Sequence, residues 1–201
     1  SNVNYTLNVE NTGSYYGGSK YSVVLTQDNA PVVNAAVTFN VKGVNYTKNT
    51  DGDGVASITL KLNEGNYLIS TEYGGTVNND SVKVLPVVHG KDITKTFSNS
   101  KKYSAAFLDS NGNPLKNTNV KFILGGKTYV RKTNAKGVAS LEINLKVGTY
   151  TIWAVHPKGY KASNKITIKT SVIGKDVSKR YLSSKVFAAT FYGKDGNVFA
   201  N

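Results

Sequence analysis

Residues 126–155, GKTYVRKTNAKGVASLEINLKVGTYTIWAV, decide the fold. From Tyr129 apolar and polar residues alternate until Asn134-Ala135-Lys136-Gly137 breaks the run. Val138, Leu141, Ile143 and Leu145 carry a second run, with Ala139 beside them, and Gly148 breaks it. Tyr150, Ile152 and Ala154 then alternate with threonine and tryptophan. Alternation of period two between Gly and Asn turns predicts three half-buried antiparallel strands.

The same paragraph stands earlier in the chain as residues 44–71, VNYTKNTDGDGVASITLKLNEGNYLIST. Tyr46 matches Tyr129 and Thr50 matches Thr133. Gly54-Val55-Ala56-Ser57 matches Gly137-Val138-Ala139-Ser140, and Gly65-Asn66-Tyr67 matches Gly148-Thr149-Tyr150. The chain is therefore a tandem repeat. An offset of about 83 residues suits small β-sandwiches of roughly 100 residues or slightly less.

Further matches phase the repeat. In the first unit Tyr21, Val23 and Leu25 alternate, Asn29-Ala30-Pro31 turns, and Val37, Phe39 and Val41 alternate again. Six or seven short strands at this spacing predict a sandwich. Pro86 marks the end of the unit, since proline suits a strand end. Residues 1–8 read either as the closing strand of a preceding unit or as an early strand of the first. The second unit restarts at Val87. A third starts at Ser171, where Gly90-Lys91-Asp92 maps onto Gly174-Lys175-Asp176, Lys95 onto Lys179, Phe97 onto Tyr181 and Phe107 onto Phe191. The expected architecture is all-β: tandem sandwiches over 1–86 and 87–172, and the first strands of a third over 173–201. Those last 29 residues are too few to bury a sandwich core alone. They pack on the second unit, pair with another chain, stay loosely ordered, or complete the second unit under a different phasing.

Composition narrows the function. The 201 residues contain no Cys, so neither disulfides nor a thiolate metal site exist. Met is also absent, including at position 1, and no apolar run approaches the roughly 18 residues that span a bilayer. Any export signal or anchor is expected outside these residues, and no membrane insertion within them. The net charge of +13 is uneven. Residues 1–86 hold 5 Lys against 7 Asp/Glu, whereas residues 87–172 hold 15 Lys/Arg against 3 Asp/Glu. Basicity belongs to the second unit, not to the architecture.

No residue set favours catalysis, and the chain is expected not to be an enzyme. The only histidines are His89, at the joint between units, and His156, before Pro157; neither belongs to a repeated Ser/His/Asp or Cys/His set. No HExxH, phosphate-binding loop or dinucleotide fingerprint occurs. Asp51-Gly52-Asp53-Gly54 has the acids of a calcium loop, but the twelfth position is Leu62 and the flanks are not helical. The matched loop of the second unit has lost both acids, so a hairpin turn is the better reading. No metal and no cofactor are expected. Glu142 falls on the face opposite Leu141 and Ile143. That suits a solvated strand; a sharper idea is a buried acid that promotes a Lys–Asn isopeptide cross-link, although Thr59 at the matched position could not do so.

Binding has more support. The lysines of the second unit, Lys121, Lys158, Lys161 and Lys165 among them, could meet an anionic polymer. With a single arginine there, and no interleaved stacking rings, nucleic acid is not the expected partner. Trp153 is the only tryptophan and its matched residue is Ser70, so the fold does not require it. Core placement and an exposed sugar-stacking platform both fit it. Tyr160, in the HPKGYKASN loop, is the other aromatic able to make a surface contact. The candidate ligand-binding residues are Trp153, Tyr160, Lys158 and Lys161.

The G-K-D start, Asp109-Ser110-Asn111-Gly112-Asn113-Pro114-Leu115, Asn119-Val120-Lys121-Phe122, Gly137-Val138-Ala139 and Gly148-Thr149-Tyr150 together carry a resemblance. The sequence resembles the Ig-like repeats of large adhesin-like surface proteins of methanogenic archaea, and more loosely the bacterial Ig-like domains of invasin-type adhesins. The first unit departs from the pattern: it reads Val9-Glu10-Asn11 for G-K-D, and Asn29-Ala30-Pro31 for N-G-N-P. The resemblance implies an extracellular, cell-surface β-sandwich array serving as stalk or adhesin. Its partners would be another cell surface or a polysaccharide, together with neighbouring Ig-like repeats of the same chain. The alternative is a carbohydrate- or wall-polymer-binding module of a surface enzyme.

Overall fold

The computed structural model describes residues 3–11, 13–175 and 184–199. They are all strands, turns and loops. The chain forms two compact units, Ser1–Val87 with Leu108–Asn113, and Val88–Phe107 with Pro114–Asn201.

The first unit contains β1 (Tyr5–Val9), β2 (Ser14–Tyr16), β3 (Lys20–Gln27), β4 (Ala30–Pro31), β5 (Ala36–Val41), β6 (Val44–Asn49), β7 (Val55–Thr59), β8 (Gly65–Tyr73) and β9 (Thr76–Leu85). Tyr5–Val9 is thus the opening strand of this unit, paired antiparallel with β3. One sheet joins β1, β3, β4 and β7; the other runs β2-β9-β8-β5-β6, with β2 parallel to β9. Inward residues alternate along β3, β5 and β7, and Tyr21, Val23, Leu25, Val37, Phe39, Ala56, Ile69 and Val82 fill the space between the sheets; β6, expected to be half-buried, is an edge strand exposed throughout. Tyr21 of one sheet meets Phe39 of the other edge-on at 6.3 Å.

The second unit repeats this order with β10 (Val88–Gly90), β11 (Ile93–Thr96), β12 (Lys102–Phe107), β13 (Asn119–Leu124), β14 (Lys127–Lys132), β15 (Val138–Glu142), β16 (Gly148–Val155) and β17 (Lys161–Lys169). Its sheets are β10-β12-β15 and β11-β17-β16-β13-β14, and β11 is again parallel to β17. Tyr103 and Phe107 of the smaller sheet pack edge-on against Phe122 of the larger at 5.6 and 6.2 Å. In both units the first strand switches sheets and the chain returns in Greek-key order, the arrangement of an immunoglobulin-like sandwich. Another mark of that fold is a tyrosine early in the sixth principal strand whose hydroxyl donates to a carbonyl just upstream. Tyr67 does so to Asn63 O at 2.9 Å, and Tyr150 to Lys146 O at 3.0 Å.

Two short strands follow, β18 (Val172–Gly174) and β19 (Ala189–Phe191), in antiparallel register with Val172 opposite Phe191. Val88 and Phe107 pair identically between β10 and β12. The sequence matches at Asp176, Lys179 and Tyr181 lie outside the described residues.

The turns explain the shared motifs. Asp51 Oδ1 accepts the amides of Asp53 and Val55 at 3.0 and 2.9 Å. Asn134 Oδ1 accepts those of Lys136 and Val138 at 2.9 and 3.0 Å. An acid and an amide thus perform the same backbone-capping task; the DGDG turn carries the chain from β6 to β7 in the other sheet, so it is a crossover turn and not the hairpin expected. Gly54 and Gly137 follow with φ of +76° and +72°. A Cβ at either would stand 2.6 Å from a backbone oxygen, Leu25 O or Phe107 O. Thr50 and Thr133 are buried: each hydroxyl accepts an amide at 2.9 Å (Ala35 and Thr118) and donates to a carbonyl at 2.6 Å (Val32 and Leu115).

Candidate functional site

The core tyrosines show how the opening motif works. Tyr103 donates to Asn164 Oδ1 at 2.7 Å; Asn164 Nδ2 donates to Asp92 Oδ1 at 3.1 Å, which also accepts the Lys165 amide at 2.9 Å. A Cβ on Gly90 would fall 2.2 Å from both the Tyr103 hydroxyl and Asn164 Oδ1. G-K-D is therefore structural: glycine makes room for the tyrosine hydroxyl and aspartate holds the asparagine. Burial, and secondarily the Asp92 charge, push the Tyr103 hydroxyl up to about 12. The hydrogen bonds from Lys165 N and Asn164 hold Asp92 below its ordinary value. In the first unit Tyr21 donates directly to Asp80 Oδ2 at 3.1 Å. Asp80 stands where Asn164 stands, and that unit has no G-K-D.

Sequence alone gave Lys95 no distinct place. It is buried, on β11, where the first unit has the buried Tyr15. Its ammonium donates to Ile143 O at 2.7 Å and Lys101 O at 3.4 Å, and burial lowers its pKa. Glu142 is exposed and ion-paired with Lys102 at 3.0 Å. A cross-link-promoting acid must be buried, so Glu142 is not one; its surface reading holds.

The candidate ligand residues separate into two places. Tyr160 is half-buried: it packs edge-on against buried His156 at 5.8 Å, and burial raises its hydroxyl pKa. The pair closes the turn before β17, where His156 N donates to Tyr160 O at 2.7 Å and Lys158 N to His156 Nδ1 at 3.0 Å. Tyr160 thus closes its turn with part of its ring still exposed, and Lys158 is exposed on that turn. Trp153 and Lys161 stand together on the outer face of the five-stranded sheet. Trp153 is 37% exposed and Lys161 Nζ lies 4.8 Å over its ring centre. Such a cation–π contact contributes about 0.5–1 kcal/mol at an exposed site.

Strand register builds the surroundings. Ile123, Trp153 and Ser163 lie opposite one another across β13, β16 and β17, and Thr128 continues the row on β14. The adjacent row is Val130, Lys121, Val155 and Lys161; Lys165 stands opposite Thr151 on the other side. Ile123 is 36% exposed. Phe122-Ile123-Leu124 is an unbroken apolar triplet that hides the alternation, and only the register puts Ile123 beside Trp153. None of the five strands contains Asp or Glu. In the first unit the corresponding rows are Asn45, Asn40, Ser70 and Asn79, then Thr47, Thr38, Glu72 and Val77. A neutral amide ladder has been replaced by an apolar centre flanked by lysines. Among the described residues no group of three or more His, Cys, Asp or Glu could hold a metal ion.

No family model and no curated protein sequence matches the chain. Solved structures with a similar course include a Bacteroides ovatus mixed-linkage glucan utilisation protein, SGBP-B, in complex with a heptasaccharide. It is 15% identical over 88% of this chain and 48% of that one, with a TM-score of 0.33. A calcium-stabilised, ice-binding adhesin of an Antarctic bacterium is 13% identical over 82% and 52%, with a TM-score of 0.30. Domains 4 and 5 of the S-layer protein SbsC are 13% identical over 84% and 99%, with a TM-score of 0.27. The chain spans about half the length of the first two. Likenesses of this strength bear on neither ligand nor partner.

Proposed function

We propose that this chain is a non-catalytic adhesion segment, displayed extracellularly at a cell surface, in which the second unit makes contact and the first serves as spacer. The observation that carries this reading is the contrast between interior and exterior. Capping turns, buried threonines, inward tyrosines and strand order recur in both units, while the outer face of the larger sheet changes from Asn40, Ser70 and Asn79 to Ile123, Trp153 and Ser163. Stacked repeats are stabilised unit by unit, so a face can change without loss of the scaffold. The partner on this reading is another cell surface or its polysaccharide coat.

The exposure of Trp153 also favours a second reading, a carbohydrate- or wall-polymer-binding module carried by a surface enzyme. One experiment addresses the shared content of both. The full chain, and a variant with Ile123→Asn, Trp153→Ser, Lys121→Thr and Lys161→Val, are tested for retention on whole cells and on insoluble wall polysaccharide. Retention by the chain and its loss in the variant are expected. If the unaltered chain is not retained, these units are a spacer and recognition lies elsewhere.

A further inference from the structure

The face around Trp153 has a chemistry more specific than adhesion. Its centre is apolar, with one indole beside an exposed isoleucine; its flanks carry Lys121, Lys161 and Lys165, none of its strands bears a carboxylate, and the one carboxylate at its margin is Asp92, beside Lys165. An indole offers a flat apolar ring with a polar edge, suited to the C–H face of a pyranose. The ammonium of Lys161 already lies over that indole. A neutral sugar stacking there must displace it with nothing to neutralise it, whereas an anionic sugar can pair with the ammonium as it moves aside. Nucleic acid fits less well. The only arginine of these strands, Arg131, lies 5.9 Å from the Tyr129 ring at the sheet edge, and a single exposed ring gives no successive stacking platform.

We infer that the outer face of β14-β13-β16-β17, centred on Trp153 and Ile123, binds an acidic, carboxylate-bearing polysaccharide, with the indole under a sugar ring and Lys121, Lys161 and Lys165 against its carboxylates. This rests on the reading of the second unit as the contacting unit and names the chemical class of its partner. Neighbouring strands lie about 4.8 Å apart, so the four strands offer roughly 14 Å of surface, enough for an extended chain rather than a single sugar.

Trp153 is the chain's only tryptophan, so emission excited at the red edge, where tyrosine does not absorb, reports on this face alone. The full chain is titrated with polygalacturonate, with neutral dextran, and with single-stranded DNA at matched charge. The expected result is a saturable change in Trp153 emission with polygalacturonate, weakened at least tenfold by raised salt, because exposed charges are screened. The double variant Lys121→Thr and Lys161→Val, which carries the first unit's residues at these positions, should bind at least tenfold more weakly with an unchanged melting temperature. An equal response to dextran would make the face a neutral-sugar platform, and an equal response to DNA a general polyanion patch; either overturns the proposal. No response to polygalacturonate overturns it too, while retention on cells would leave the adhesion reading standing.

Discussion

The hydroxyl of Tyr21 ends on a carboxylate, Asp80, and that of Tyr103 ends on an amide, Asn164, which Asp92 holds in turn. Both solutions satisfy a buried phenol, as a low-dielectric interior demands. They differ in how many parts must change together: the second unit needs Gly90, Asp92 and Asn164, the first only Asp80. On the outer faces the ties join only neighbours of one sheet, Asn40 to Asn45 in the first unit and Lys161 to Trp153 in the second. Asn40, Ser70 and Asn79 are replaced by Ile123, Trp153 and Ser163 over the same backbone pairing. Interior positions are tied across the two sheets, whereas face positions are tied only to exposed neighbours and to whatever they meet outside.

The largest test of the shared interior is at the turns. Gly54→Ala and Gly137→Ala should each destabilise their unit by about 1–3 kcal/mol from the positive φ alone, and by more because the new Cβ meets backbone oxygen. Gly159→Ala, with φ of +94° and open space around it, should show the φ penalty without the clash. Equal losses at all three, in chemical denaturation, would break the account of the turn shared by the two units.

Next is the alkaline range, where the tyrosine networks can be read. The Tyr103 hydroxyl is raised from 10.0 to about 12 in the folded state. Its contribution is fully present below pH 10, where both states hold the proton, and is lost as pH rises toward 12 while only the unfolded chain deprotonates. The denaturation midpoint should therefore fall between pH 10 and 12, and Tyr103→Phe should remove that component. Lys95 contributes with the opposite sign: its lowered folded pKa means that stability rises with pH up to 10.5. A Tyr103→Phe profile parallel to the wild type would contradict the assignment.

A smaller effect sharpens the contrast between the cores. Thr71 is fully buried with its hydroxyl unpartnered among the described residues, where the second unit has Ala154. Thr71→Val should stabilise the first unit by about 1 kcal/mol, measured as a raised denaturation midpoint; a loss would mean that the hydroxyl has a partner. Smallest of all, Glu142→Gln should change stability by about 0.5 kcal/mol or less, since its pair with Lys102 is exposed. A loss of several kcal/mol there would revive a structural role for that acid.

Strands and turns were legible in sequence because period-two alternation and capping residues act locally, whereas the pairing order was not, because it joins strands far apart in the chain. The solvated face of Glu142 was legible for the same reason, and so was a turn at DGDG, though not that it crosses between sheets. G-K-D could be recognised as a motif but not explained, because its purpose depends on Tyr103 and on Asn164, which lies 72 residues beyond Asp92. Trp153 stayed undecided because a strand's alternation gives two faces without saying which one a second sheet covers. Tyr160 looked wholly free because its cover, His156, comes from the same short turn and buries part of it through packing.

The central claim, that recognition resides in one rewritten sheet face on an interchangeable scaffold, is tested most directly by transplanting that face. The chain with Ile123→Asn, Trp153→Ser, Lys121→Thr and Lys161→Val then receives Asn40→Ile, Ser70→Trp, Thr38→Lys and Val77→Lys in the first unit. Retention on cells or wall polysaccharide should be lost with the first set of substitutions and regained with the second. Loss without recovery in a folded chain, or no loss at all, would contradict the claim.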